Sequence, residues 1–225
     1  MREIIDSERL QQYIRTHQMD AIFTELLLPH LSLYFFDKGE LICAQGDPSQ
    51  YLYILVKGKL KIYTNSPEGK TLILSFKTPL EVIGDLEYVQ GIDFVNTVEA
   101  VSSVVMIGVH HRWLKKYGGN HAPLLNFLLE IITKKFLLKN KLMSFNIMYP
   151  VEVRLASYLL SVSFVETELI ISIKDAANLI GTSYRHLNRV ITQFCEEGLI
   201  ERKRGFILVK DMDGLRSLAG GNIYE

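Results

Sequence analysis

Residues 171–209, ISIKDAANLIGTSYRHLNRVITQFCEEGLIERKRGFILV, read as a helix, a glycine corner, a second helix and a basic hairpin. Ser172 is placed to cap the first helix, with Asp175 three residues on as its capping-box partner. Ala176, Ala177 and Ile180 form the inner face of that helix, and the small alanines let the second helix cross closely. Gly181 supplies the corner. Ser183 is placed to cap the second helix, where Leu187, Val190, Ile191 and Phe194 recur at i, i+3, i+4 and i+7 and so point inward. Tyr184, Arg185, Asn188, Arg189 and Thr192 are left facing out. Arginine and asparagine on an exposed helix face match guanine and adenine edges in a major groove. Gly198 ends the helix, and the chain turns back at Lys203-Arg204-Gly205. Arg202, Lys203 and Arg204 cluster there, where a phosphate backbone would run. The stretch predicts a winged helix-turn-helix that reads double-stranded DNA.

Composition sets the frame for that module. The chain has 225 residues, enough for one large or two ordinary domains, and a formal net charge of zero. No global basic field draws it to nucleic acid, so any attraction comes from local patches such as the wing. Cys43 and Cys195 lie far apart and make no metal-type spacing; both read as small buried hydrophobes. The opening MREIIDSERLQ lacks the apolar core of a signal peptide, and no stretch approaches the ~18 apolar residues of a membrane span. The expectation is a soluble, cytoplasmic protein with no membrane partner.

From 31 to 109 the pattern is short strands parted by turn residues. Strand 34–36 leads to Asp37-Lys38-Gly39 and 41–44 to Gln45-Gly46-Asp47-Pro48; 51–56 stops at Lys57-Gly58, and 60–63 at Asn65-Ser66-Pro67-Glu68-Gly69. Leu72, Leu74 and Phe76 alternate in the next run, and 95–109 holds two more. Many short strands at regular spacing predict a jelly-roll-like β-roll. The period changes at His110, and Pro123 stands where a first helical turn begins; residues 122–145 have the length of one long helix. The expected fold is α+β, with a roll and an amino-terminal helical segment over 1–121, the long helix over 122–149 and the winged helix-turn-helix over 150–225. Leu125, Leu128, Ile132 and Phe136 form a stripe on the long helix, but further apolar residues cover much of its circumference. A second apolar face calls for a second partner, which predicts a two-fold homodimer along this helix.

These parts in this order resemble the CRP/FNR family of bacterial transcription regulators. The likeness runs from about 31 to 209. It rests on Lys38-Gly39-Glu40, Gln45-Gly46, Tyr53-Ile54-Leu55-Val56-Lys57-Gly58 and Ile83-Gly84-Asp85-Leu86 in the roll, then Val153-Arg154-Leu155-Ala156-Ser157-Tyr158-Leu159-Leu160 before the DNA-binding helices. The run Ser183-Tyr184-Arg185-His186-Leu187, with Gln193-Phe194-Cys195 and Gly198-Leu199, is most similar to the YeiL-like branch. The resemblance implies a cyclic-nucleotide-binding-type roll, a dimerisation helix and a DNA-binding activator that works with RNA polymerase. It also places Arg189 on the family's guanine-pairing arginine.

The family's small-molecule chemistry transfers poorly. Its cyclic-AMP binders hold the phosphate with an Arg-Ser pair and the ribose with a glutamate; here those positions are Phe94-Val95-Asn96-Thr97 and Asp85. No lysine or arginine occurs between Lys77 and Arg112, and Asp85, Glu87 and Asp93 make the expected pocket mouth acidic unless something neutralises them. Gly84, Asp85, Leu86, Glu87, Asn96 and Thr97 are therefore candidates for an unknown, uncharged or cationic effector, and cyclic AMP is not expected. The cysteines of an FNR-type iron–sulfur cluster are missing. His110, His111 and His121 suit surface or capping roles better than haem ligation. No nucleophile elbow, phosphate cradle or His-Glu-x-x-His helix appears, so no enzyme is expected. The rival from another class is a regulatory subunit or effector-binding module with no DNA-binding role.

Overall fold

The computed structural model describes residues 1–69, 71–163, 168–169, 172–204 and 206–220. Two expected turn and helix positions, Gly205 and Ile171, lie outside them. Strand β1 (Arg2–Ile4) and helix α1 (Ser7–Thr16) come first, and a short 3-10 turn leads into β2 (Leu31–Phe36). β3 (Leu41–Cys43), β4 (Tyr51–Lys57), β5 (Leu60–Asn65), β6 (Thr71–Lys77) and β7 (Val82–Ile83) follow, then α2 (Asp85–Gln90), β8 (Thr97–Ala100) and β9 (Val104–His110). A short helix, α3 (His111–Trp113), and a π turn lead to α4 (Ala122–Met148). The rest comprises α5 (Val151–Ser163), β10 (Glu168–Leu169), α6 (Ile173–Leu179), α7 (Tyr184–Glu196), β11 (Ile200–Lys203), β12 (Phe206–Val209) and α8 (Met212–Ala219).

The chain forms two compact units, residues 1–135 and 136–225. In the first, a five-stranded sheet of order β1-β2-β9-β4-β7 and a four-stranded sheet of order β3-β8-β5-β6 make the roll. The run from Tyr51 to Val56 of β4 is apolar at every position because the larger sheet is covered on both faces. Tyr53 and Leu55 join Tyr34, Phe36, Met106, Leu60 and Val98 between the sheets. Leu52, Ile54 and Val56 join Leu33, Ile107 and Val109 on the opposite face, which Leu10 and Ile14 of α1 and Leu124 and Leu128 of α4 close. Alternate residues of one strand thus serve two cores.

That packing corrects the stripe expected on α4. Leu128 is 2 % exposed and belongs to the roll's own core, so it is not available to a partner. Leu125 and Phe136 are exposed, as are Leu129, Met143 and Ile147, and Ile132 is half-buried. Nor is α4 a separate segment: its residues up to Lys135 go with the roll, and those from Phe136 with the second unit.

The second unit is built on one core, in which α5 contributes Leu155, Ala156 and Leu159, α6 contributes Ala176 and Ala177, and α7 contributes Leu187, Val190, Ile191 and Phe194. β11 and β12 add Ile200, Ile207 and Val209, and α8 adds Leu215. The three-stranded sheet has order β10-β12-β11, with Arg202 opposite Ile207 and Lys203 opposite Phe206. A winged helix-turn-helix is present in this unit, with β10 as an additional strand.

Candidate nucleic-acid interface

Local chemistry sets both helices of the motif. Ser172 Oγ accepts from the backbone N–H of Asp175 at 3.2 Å, and Ser183 Oγ from that of His186 at 3.1 Å, so each serine satisfies a donor that its helix start leaves open. Gly181 takes φ +67°, in the left-handed region where a side chain is strained, and turns the chain between α6 and α7. Sequence reading gave Arg154 no role beyond the family stretch. Its guanidinium, 8 % exposed, reaches from α5 to the corner, where Nη1 donates to the carbonyls of Ile180 and of Gly181, the latter at 3.2 Å. A buried cation at the carboxyl end of α6 meets the negative pole of that helix and satisfies its terminal carbonyls.

With its apolar face buried, α7 turns Tyr184, Arg185, Arg189 and Thr192 to solvent. Arg185 and Arg189 make no ion pair among the described residues. Two other residues expected to face DNA are bonded to each other. Asn188 is half-buried and bonded at both ends of its amide: Nδ2 donates to the Tyr184 carbonyl at 2.8 Å, and Oδ1 accepts from Nη1 of Arg202 at 2.8 Å. Arg202 thus reaches from the wing to α7. Thr192 Oγ donates to the Asn188 carbonyl at 3.1 Å. Lys203 and Lys210 both lie 3.6 Å from the carboxylate of Glu201, and Arg204 is exposed.

In the roll, the expected effector residues are brought together but are already occupied. Gly84 takes φ +87°, and a Cβ there would stand 2.5 Å from the Tyr51 carbonyl oxygen, so the close approach of backbone to backbone requires glycine. Asp85 and Glu87 are buried. Asp85 is paired with Lys135 of α4, whose Nζ lies 2.9 and 3.0 Å from its two oxygens, 2.7 Å from Glu81 Oε1 and 2.5 Å from the Val82 carbonyl. Lys77 lies 3.0 Å from the other oxygen of Glu81. Asp85, one of the three acids expected at the mouth, is thus neutralised from 50 residues away, by a cation that no local pattern could disclose. Glu87 accepts from the Val95 N–H at 3.1 Å, and Thr97 Oγ from that of Gln45 at 3.0 Å. The Asn96 carbonyl accepts from Cys43 Sγ at 3.8 Å, and Leu86 is exposed. Cys43 is buried and Cys195 half-buried; burial first, then the charge of Glu87, pushes the Cys43 thiol up to about 12, which makes it an inert core residue.

The histidines divide. His110 Nδ1 accepts from Arg112 N at 3.1 Å and so caps α3, and one nitrogen of His121 lies 3.2 Å from the Ala21 carbonyl. His111 is neither a surface nor a capping residue: it is buried against the edge of Tyr88, with ring centroids 5.1 Å apart. Its Nε2 has no hydrogen-bond partner among the described residues.

Residues 34–116 match the cyclic nucleotide-binding domain family, and residues 153–218 the Crp-like helix-turn-helix domain family. The chain is 24 % identical over 205 residues to the Escherichia coli O157:H7 regulatory protein YeiL, covering 89 % of this chain and 93 % of that one. It is 21 % identical over 189 residues to a Mycobacterium tuberculosis CRP-like cAMP-activated global transcriptional regulator, covering 80 % and 84 %. A crystal structure from Eubacterium rectale, assigned to the crp/fnr family of transcriptional regulators, superposes with a TM-score of 0.78 at 25 % identity, covering 88 % and 93 %.

Acid should weaken the roll through His111. Burial, then the nearby charges of His110 and Lys115, lowers its pKa to about 4, against about 6.5 for an unfolded histidine. Between those values the unfolded chain binds a proton that the folded chain refuses. Stability is therefore full above about pH 6.5 and declines as the pH falls towards 4. Chemical denaturation across that range should give a steeper pH slope for the unmodified protein than for His111→Gln, and equal slopes would remove His111 as the cause.

The roll and the reading module stand in the family's order within one chain, which belongs to the CRP/FNR family of DNA-binding transcription regulators.

Proposed function

We propose that two copies of this chain pair along the outer face of α4 and read a two-fold palindrome, each laying α7 in a major groove. The observation that carries the DNA reading is the division of α7, whose apolar face is buried in its own unit while Arg185, Arg189 and Tyr184 stand exposed. Arginine presents two parallel donors to guanine O6 and N7; tyrosine cannot. Half-sites about one helical turn apart follow from the two-fold symmetry. The half-site sequence should differ from that of cyclic-AMP-type regulators, because Tyr184 and Arg185 stand where those carry an arginine and a glutamate.

Pairing is supported by the exposed residues of α4. Leu125, Leu129, Ile132, Phe136 and Met143 succeed one another at spacings of four, three, four and seven, the seam of a two-stranded coiled coil. Leu129 and Phe136 are each 61 % exposed, which a solvated helix face does not favour.

Cyclic AMP is not the effector in this reading. The acid at the family's ribose position is held by Lys135, and the 94–97 stretch provides no arginine for a phosphate. RNA polymerase is the partner that the family membership suggests.

Three experiments test these points. Leu129→Glu should raise the dimer dissociation constant roughly a hundredfold or more, since each buried leucine is worth about 1.5–3 kcal/mol and the substitution enters twice. Sedimentation showing the unmodified chain to be a monomer at micromolar concentration would end the dimer proposal. Calorimetry should detect no micromolar binding of cyclic AMP; a micromolar dissociation constant would overturn the pocket reading. Selection from a random duplex pool should return a palindrome. Arg189→Ala should cost about 1–3 kcal/mol and relax one base pair per half-site, whereas Lys203→Ala should weaken all sequences alike and lower the salt slope by about 1. An unchanged motif and affinity for Arg189→Ala would show that the reading face is elsewhere, and a pool that returns no duplex would favour the regulatory-module alternative.

A further inference from the structure

We infer that Asn188 reads no base and is a positioning residue: it holds Arg202 of the wing against the outward face of α7, making helix and wing one arginine-bearing surface. The inference rests on the DNA-binding role of α7. An amide reads adenine only by presenting its NH2 and its oxygen together to N7 and N6. Both ends of Asn188 are already in use within the protein, and each by the chemistry that only that end can perform. A guanidinium has no lone pair to offer, so Arg202 can bond only Oδ1; the Tyr184 carbonyl has no proton, so it can bond only Nδ2. The two bonds use one of the amide's two N–H donors and one of its oxygen's two lone pairs and together select a single orientation, and turning the amide towards an adenine edge would break both.

Arg202 gains what Asn188 gives up. It stands on β11 opposite Ile207, which is buried in the core of its unit, and Ile200 at the start of the same strand is buried as well. The wing is thus anchored in the core by the same sheet face that carries Arg202, whose guanidinium is held at the helix. One Nη1–H is used on Asn188, and a guanidinium carries five N–H donors, so the remainder are available to a phosphate or a base edge beside Arg185 and Arg189. A long flexible side chain already held in place loses less conformational freedom when DNA binds, and that preorganisation is what Asn188 supplies.

A double-mutant cycle on the full-length protein tests this, using fluorescence anisotropy with a duplex selected by the unmodified protein, together with random-pool selection. Asn188→Ala should weaken binding about three- to tenfold and Arg202→Ala by about tenfold. The double variant should bind no worse than Arg202→Ala alone, because the two residues act as a unit. Asn188→Ala should return the same motif as the unmodified chain, with an unchanged melting temperature. A base preference altered at one position per half-site in Asn188→Ala would make it a base reader and overturn the inference, as would strictly additive losses in the cycle. If the unmodified protein selects no duplex at all, the DNA-binding role itself fails, and the inference falls with it.

Discussion

The ammonium of Lys135 is the interaction on which the roll's candidate effector site depends. Asp85 and Glu81 are both buried, and an isolated buried carboxylate would shed its charge or destabilise the fold by several kcal/mol. Lys135 answers both at once and also satisfies the Val82 carbonyl. Burial on its own would lower the lysine's pKa, but the charges of Asp85 and then Glu81 outweigh it and hold the pKa above the ordinary lysine value. The proton therefore stays where three acceptors require it. Asp85 and Glu81 are thereby balanced from within the roll, by Lys135 and Lys77.

The same side chain ties together two parts of the sequence that look independent. Lys135 is the last residue of the first unit, on a helix whose inner face, Leu124 and Leu128, closes one core of the roll. The inner face of α4 is thereby fixed by packing and charge together, and its remaining apolar residues are what the roll does not need. That division explains why a helix apolar over most of its circumference is stable: each stripe answers to a different neighbour.

Most of the DNA-binding unit was legible because its signals are local. Serine caps, a glycine at the corner and apolar residues at helical spacing are set by interactions within four residues. They place α6, α7 and the hairpin where the structure has them. The strands of the roll were legible for the same reason, although α2 and β1 were not: six residues beginning at Asp85 carry too little periodicity, and β1 is a strand only because β2 offers it an edge. What escaped was side-chain pairing across sequence distance. Lys135 with Asp85, Arg154 with the α6 carbonyls and Arg202 with Asn188 are separated by 50, 26 and 14 residues. In each, a polar residue that seems free in the sequence is committed within the fold. Leu128 was misplaced for the complementary reason, since a stripe of leucines does not say which of two neighbours covers it.

Electrostatics then sets how such a chain can bind DNA. With 25 basic and 25 acidic residues it has no net charge to draw a polyanion from a distance. Attraction must arise within about a Debye length, ~8 Å at physiological salt, of the reading face itself. There Arg185, Arg189, Arg202 and Arg204 are exposed, and the wing lysines Lys203 and Lys210 share a single carboxylate, Glu201, at 3.6 Å. Exposed pairs of that length contribute little, typically below 1 kcal/mol, so a phosphate can take Lys203 or Lys210 from Glu201 at almost no cost. In the free protein Glu201 damps the wing's field. Against a duplex the lysines would exchange one anion for another. The wing lysines are therefore suited to a modest and salt-sensitive share of the affinity, whereas the arginines of α7 have, among the described residues, no carboxylate partner that a duplex would have to displace.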